Sequence, residues 1–224
     1  MLALTLPAAE KSGKADKAGK APKAAAGPTR WEETIRKFEA DDKANPPPTG
    51  AVLLVGGSNA RRWTDIGTCF PQHAVINRGF GGAHLAEVLH FAERIVLPYA
   101  PRVILLNAGG NDLSSGKSPE AVRDAARAFY ARVRAALPGT RIYHLSLPPV
   151  LRAAANPEGM AVFRRANSLL ADLARNEPGV EYVDLFTAFL DDRGQPRPEL
   201  FVADGTHFSP KGYAVVTGLL QGKF

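Results

Sequence analysis

A chain of 224 residues is long enough for one domain and an appendage, and 45% hydrophobic with 22% charged residues is ordinary globular material with enough apolar side chains for a sizeable core. No apolar run approaches the roughly 20 residues a membrane-spanning helix needs. The formal charge of +6 first suggests nucleic acid, but five lysines and Arg30 against Glu10 and Asp16 place +4 of it in residues 1–30 and leave +2 for the rest. The charge therefore marks a basic tail rather than a basic face on a fold, and nucleic acid is not an expected partner.

Residues 9–30 are Ala, Lys, Gly and Pro with little to bury, so residues 1–30 are expected to be a disordered tail. Leu2 to Ala8 is a short apolar stretch that fits the remnant of an export signal, although it lacks a basic leading region. Cys69, the only cysteine, excludes an intramolecular disulfide, so the compartment, exported or cytoplasmic, stays open. The domain is expected over 31–224. It begins with a helix over Trp31 to Asp42, where Trp31, Ile35 and Phe38 share one face. Asn45 to Gly50, with three consecutive prolines, stops it.

From there short apolar runs alternate with helical patterns. The predicted strands are Ala51–Gly56, Ala74–Asn77, Val103–Asn107, Ile142–Ser146 and Val180–Leu185. Several are apolar almost throughout, as strands buried on both faces should be. A helix is predicted after Ser118-Pro119, a Ser cap with Pro at the first helical position, with the stripe Val122, Ala126, Phe129, Val133, Leu137. Met160 to Ala174 is another. Ser209-Pro210 opens a last helix carrying Tyr213, Val216 and Leu220. Strand–helix alternation of this kind implies a parallel sheet covered on both faces.

In open parallel sheets, ligands bind beyond the carboxyl ends of the strands. Gly56-Gly57-Ser58-Asn59 follows the first strand, Asn77-Arg78-Gly79-Phe80-Gly81-Gly82 extends the second, and Gly109-Gly110-Asn111-Asp112 follows the third. Asp204-Gly205-Thr206-His207 comes near the end. A serine hydroxyl is a weak nucleophile until a base takes its proton; His207 is the natural base, and Asp204 can orient it. The backbone N–H groups of Ser58 and Gly82 and the amide of Asn111 are candidate oxyanion donors. Each patch also has a plain reading. Ser58 can be a helix cap, the glycines a turn, Asn111 an Asx-turn and His207 a surface histidine. Asp112 reads as a loop contact. The remaining histidines show no metal-ligand spacing, and His73 and His144 read as packed or capped. Trp63 reads as packing, while Arg78 and Phe80 are candidate pocket walls.

Taken in order, Gly-Gly-Ser-Asn (56–59), Asn-Arg-Gly-Phe-Gly-Gly (77–82), Gly-Gly-Asn-Asp (109–112) and Asp-Gly-Thr-His (204–207) resemble the four blocks of the SGNH/GDSL hydrolases. The resemblance implies a flavodoxin-like three-layer α/β/α sandwich with a five-stranded, mainly parallel sheet. It implies catalysis by Ser58, Asp204 and His207, an oxyanion hole of Ser58, Gly82 and Asn111, and no metal or organic cofactor. One departure stands out: Gly57 occupies the position where the family usually carries Asp. The expected activity is hydrolysis of carboxylic esters through an acyl-enzyme. With no long insertion resembling a lid, short acyl or acetyl esters are favoured, of small alcohols or of carbohydrates. The rival readings are acyl transfer to a sugar hydroxyl and a catalytically silent binding module. The natural ester and the oligomeric state are not legible.

Overall fold

The computed structural model describes residues 27–224. The Leu2–Ala8 stretch and most of the expected tail lie outside the described residues. At the start of the described residues, Pro28–Trp31 form a 3-10 turn, and Arg30 donates to both carboxylate oxygens of Glu87 at 2.9 and 2.8 Å. The arginine fork ties this turn to the helix that carries Glu87.

The first helix, α1 (Glu32–Ala44), buries Ile35 completely. Strand β1 (Val52–Gly56) follows, then two short helices, α2 (Ser58–Arg62) and α3 (Ile66–Cys69), and strand β2 (Val75–Gly79). Two more short helices, α4 (Leu85–His90) and α5 (Ala92–Ile95), lead to β3 (Val103–Asn107). Next come α6 (Gly110–Ser114), the long α7 (Pro119–Ala136) and β4 (Arg141–Leu145). The chain ends with α8 (Leu151–Ala154), α9 (Pro157–Arg175), β5 (Val180–Val183), α10 (Leu185–Ala188) and α11 (Pro210–Leu220).

All four strand pairings are parallel, in the order β2-β1-β3-β4-β5. This is the flavodoxin-like order. Helices α4, α7 and α9 pack in succession on one face. On the other, α11 meets the segment after α2, where the Tyr213 and Trp63 rings lie 5.3 Å apart. That explains the apolar character of the central strands: every residue of β1 is buried, and so are the first four of β3.

The long helices start where their side chains dictate. Ser118 Oγ accepts from the Ala121 amide at 3.1 Å and Ser209 Oγ from Gly212 at 3.2 Å, each ahead of a Pro at the first helical position. Helix α9 begins three residues before the expected Met160, because Asn156 caps it by accepting from the Glu158 amide at 2.9 Å and Pro157 follows. Strand β5 ends two residues early, at Val183, because the Asp184 side chain caps α10 by accepting from Thr187 at 3.0 Å.

The sheet is tightest where β1 ends. Gly56 pairs in register with Gly79 and Asn107 and has φ +146°. A Cβ there would stand 1.9 Å from the Asn107 carbonyl oxygen. Gly56→Ala should therefore cost about 3 kcal/mol or more through strain and displaced backbone. A thermal melt should fall by roughly 6–12 °C; an unchanged melt would contradict the crowding.

Candidate active site

The sheet order turns back between β1 and β3, since β2 lies on one side of β1 and β3 on the other. In such sheets the crevice at that point, beyond the strands' carboxyl ends, is where ligands bind. A cleft of about 60 Å³ opens there, with Ser58 and Asn59 on one wall, Asn107 to Asn111 on another, and Leu147, Pro148, Val150 and Phe163 closing the apolar end.

Ser58 is the first residue of α2, so its backbone N–H has no intrahelical acceptor. The turn that delivers it is fixed by the Gly57 amide donating to the Asn107 carbonyl at 2.9 Å and by the crowding at Gly56. Asn111, in the first turn of α6, lines the same cleft and donates one amide hydrogen to the Ala83 carbonyl at 3.0 Å. Its second hydrogen is free of that bond. Gly82 stands beside this contact with φ +80°, its carbonyl accepting from Arg30 at 3.2 Å and its Cα facing the Trp31 ring.

Asp112 is a scaffold residue, as its sequence reading expects. Completely buried, it accepts from the Leu85 amide at 3.0 Å and from Lys117 at 2.8 Å, with the His84 ring 3.4 Å away. It ties the start of α4 to α6, and so the turn carrying Gly82 to the one carrying Asn111.

His207 and Asp204 form a close pair, Nδ1 to Oδ2 at 2.6 Å. The other carboxylate oxygen of Asp204 accepts from the Thr206 and His207 amides, both at 2.9 Å. The His207 amide and ring, and after them the Thr206 amide, hold the Asp204 carboxyl well below the ordinary carboxylate value, against an opposing effect of burial. A carboxylate on Nδ1 leaves Nε2 of the imidazole as its basic atom.

The sequence reading passed over Asn59. Its Oδ1 accepts from the Phe208 amide at 3.0 Å and its Nδ2 donates to the Thr206 carbonyl at 3.4 Å, so one side chain grips the backbone on both sides of His207. Tyr213 on α11 donates in turn to the Asn59 carbonyl at 2.9 Å. The residue after Ser58 therefore docks the His207 turn against the start of α2. An Asn next to the serine was visible in the sequence, but nothing in its spacing pointed to a partner 147 residues away.

Two expected pocket residues lie elsewhere. Arg78 donates to the Tyr99 hydroxyl at 2.7 Å and pairs with Asp42, clamping α1 to β2. Phe80 is fully buried and meets the Trp31 ring edge-on at 5.6 Å. Neither lines the cleft. Trp63 is buried as expected. His73 meets the Phe224 carbonyl at 2.8 Å, and buried His144 meets the Tyr130 hydroxyl, with burial pulling its pKa down to about 4. Among the described residues, no group of three His, Cys, Asp or Glu side chains could hold a metal ion. No described helix is long and apolar enough to cross a membrane.

The parallel sheet with a crevice at its switch point defines the class of α/β proteins to which the chain belongs. The chain belongs to the GDSL-like lipase/acylhydrolase family, which its sequence matches over residues 28–215, and it is a carboxylic ester hydrolase. Solved structures share the fold. A Streptococcus pneumonia protein described provisionally as a platelet activating factor superposes with a TM-score of 0.75 at 22% identity, over 87% of this chain and 93% of the other. A GDSL-like lipase from Bacteroides thetaiotaomicron gives 0.69 at 17%, over 84% and 96%. An acetylxylan esterase from Geobacillus stearothermophilus gives 0.61 at 13%, over 77% and 93%. A search of curated proteins returns no match.

The Asp204 turn should show its ionisation in stability. A carboxyl whose native pKa is lowered contributes stability that is present above the ordinary value of 3.8 and is lost as pH falls through the native one. The melting-temperature gap between wild type and Asp204→Asn should thus be full at neutral pH and shrink only below pH 3.8. A gap that closes near pH 6 would mean the carboxylate is not held in this way.

Proposed function

We propose that this enzyme hydrolyses esters of short acyl groups, acetyl foremost, by double displacement at Ser58. The observation that carries the reading is the grip of Asn59, which joins the His207–Asp204 pair to the helix that Ser58 begins. In the first half-reaction, His207 Nε2 takes the Ser58 hydroxyl proton as Oγ adds to the ester carbonyl. The oxyanion is met by the Ser58 and Gly82 N–H groups and the free amide hydrogen of Asn111. Loss of one such donor costs about 3–4 kcal/mol of transition-state stabilisation. The tetrahedral intermediate collapses by breaking the bond to the alcohol oxygen, which receives the proton from His207. Water then repeats the sequence on the acyl-serine, releasing the acid and restoring the Ser58 hydroxyl.

Asp204, ionised throughout, keeps the imidazole in the tautomer with its proton on Nδ1 and stabilises the imidazolium formed in each half-reaction. The small volume of the cleft and its Leu147, Pro148, Val150 and Phe163 walls favour an acyl group of a few heavy atoms. The alcohol half is left outside the cleft, where a carbohydrate can be accommodated.

Ser58→Ala should lower p-nitrophenyl acetate turnover by at least about 10⁴-fold without loss of fold, and wild type but not the variant should react with a fluorophosphonate probe. Retained turnover would refute the role of Ser58. Across a series of p-nitrophenyl esters, kcat/KM should peak between acetyl and butyryl. A maximum at dodecanoyl or longer would remove the short-acyl preference.

A further inference from the structure

Ser58 stands between two unlike surfaces. The apolar cleft lies over the ends of β3 and β4, with walls from Asn107 to Asn111 and from Leu145 to Val150. The other side lies over the end of β2, where Gly79 to Gly82 turn back beside α2. There α2 brings Arg61 against the turn, one helical turn beyond Ser58 and so on the same side of the helix. The Nε–Nη2 edge of its guanidinium lies against Gly81. A Cβ on Gly81 would stand 2.7 Å from Arg61 Nε and 3.0 Å from one Nη, so the missing side chain is what admits the group.

Most arginines that pack against another element of this fold have a partner. Arg30 holds Glu87, Arg78 holds Asp42, and Arg94 holds Glu32 and Glu39. Arg61 makes neither a salt bridge nor a side-chain hydrogen bond among the described residues. Its backbone is nonetheless fixed, because its amide donates to the Gly57 carbonyl at 3.0 Å and packs on Gly79. An exposed guanidinium beside the proposed oxyanion turn, with no carboxylate partner among the described residues, is suited to a planar anion.

We propose that Arg61 recognises a carboxylate on the alcohol half of the substrate, so that the natural ester is a short acyl ester of an acidic alcohol such as an acidic sugar. The proposal rests on the esterase reading of Ser58. With the acyl group in the cleft over β3 and β4, the half of the ester on the opposite side of Ser58 extends over β2, toward Arg61. The arginine touches no reacting atom; it selects among alcohols.

The test compares two acetyl esters that differ in one charge, 4-acetoxybenzoate and its neutral methyl ester, on the full chain. Wild type should favour the anionic ester in kcat/KM, mainly through KM, and the preference should weaken as salt is raised. Arg61→Met should lower the ratio of anionic to neutral kcat/KM by about tenfold, as loss of one charge-assisted contact implies. Arg61→Lys should retain part of the ratio, since it keeps the charge and loses the fork. Turnover of both esters with a ratio unchanged in Arg61→Met overturns this assignment alone. Failure of wild type to hydrolyse either ester overturns the esterase reading of Ser58 and the assignment with it.

Discussion

The geometry of this site depends on how closely the chain packs at the end of β1. Gly56 lies against the Asn107 backbone on one side, and Gly79, its partner on the other, lies so near α2 that a Cβ would stand 2.2 Å from the Arg61 amide nitrogen. Side chains at these positions would push β2, β1 and β3 apart or lift α2 off the sheet. Because neither glycine has one, α2 starts immediately at the strand end, two residues after Gly56. Its first N–H and its Ser58 side chain then open directly into the crevice made by the reversal of strand order. A longer connection would place the serine farther from the strand ends and on a softer support.

Around that fixed point, the loops are joined mainly by asparagine amides that stand in for backbone. Asn77 donates to the Ala60 and Trp63 carbonyls at 2.8 and 3.1 Å and accepts from the Gly79 amide at 2.8 Å, pinning α2 to β2. Asn167 on α9 both donates to and accepts from Leu147, at 2.8 and 2.9 Å, fixing the segment that walls the cleft. Asn59 does the same for the His207 turn, and Asn111 for the Ala83 carbonyl. Each such bond contributes about 1 kcal/mol net, but an orphaned buried backbone group costs about 1–3 kcal/mol. The amides therefore constrain position more strongly than their net energies suggest, because the alternative arrangements leave polar groups unpaired.

The sequence carried the strands and long helices clearly, since apolar runs and capping residues act within a few neighbours. Val52–Gly56 and Val103–Asn107 are legible because burial on both faces leaves no polar residue to interrupt them, and α7 because Ser118-Pro119 announces it. The short helices α2, α4 and α6 were not legible, as five or six residues hold less than two turns of periodicity. The four motif blocks pointed to one crevice through strand–helix alternation. What lay beyond reach was direction: Arg78 and Phe80 flank the glycines in sequence, but Arg78 turns to Asp42 on α1 and Phe80 to Trp31 and Phe91. The partners of Asn59 and Arg30 are set by tertiary contact alone.

Gly57 stands where the resembled motif usually has Asp. A Cβ at this position would come within 2.9 Å of the Asn111 amide nitrogen, the atom that also donates to the Ala83 carbonyl at 3.0 Å. A side chain at 57 would compete with that amide for space, and the amide could yield only by bending or lengthening its bond to Ala83. With glycine there, the amide settles close to the turn that delivers Ser58. The residue is also fully enclosed and its own N–H is bonded to Asn107, so it is held by its neighbours rather than left flexible. The departure from the motif thus changes the packing beside Asn111 and removes none of the groups to which ester chemistry is assigned.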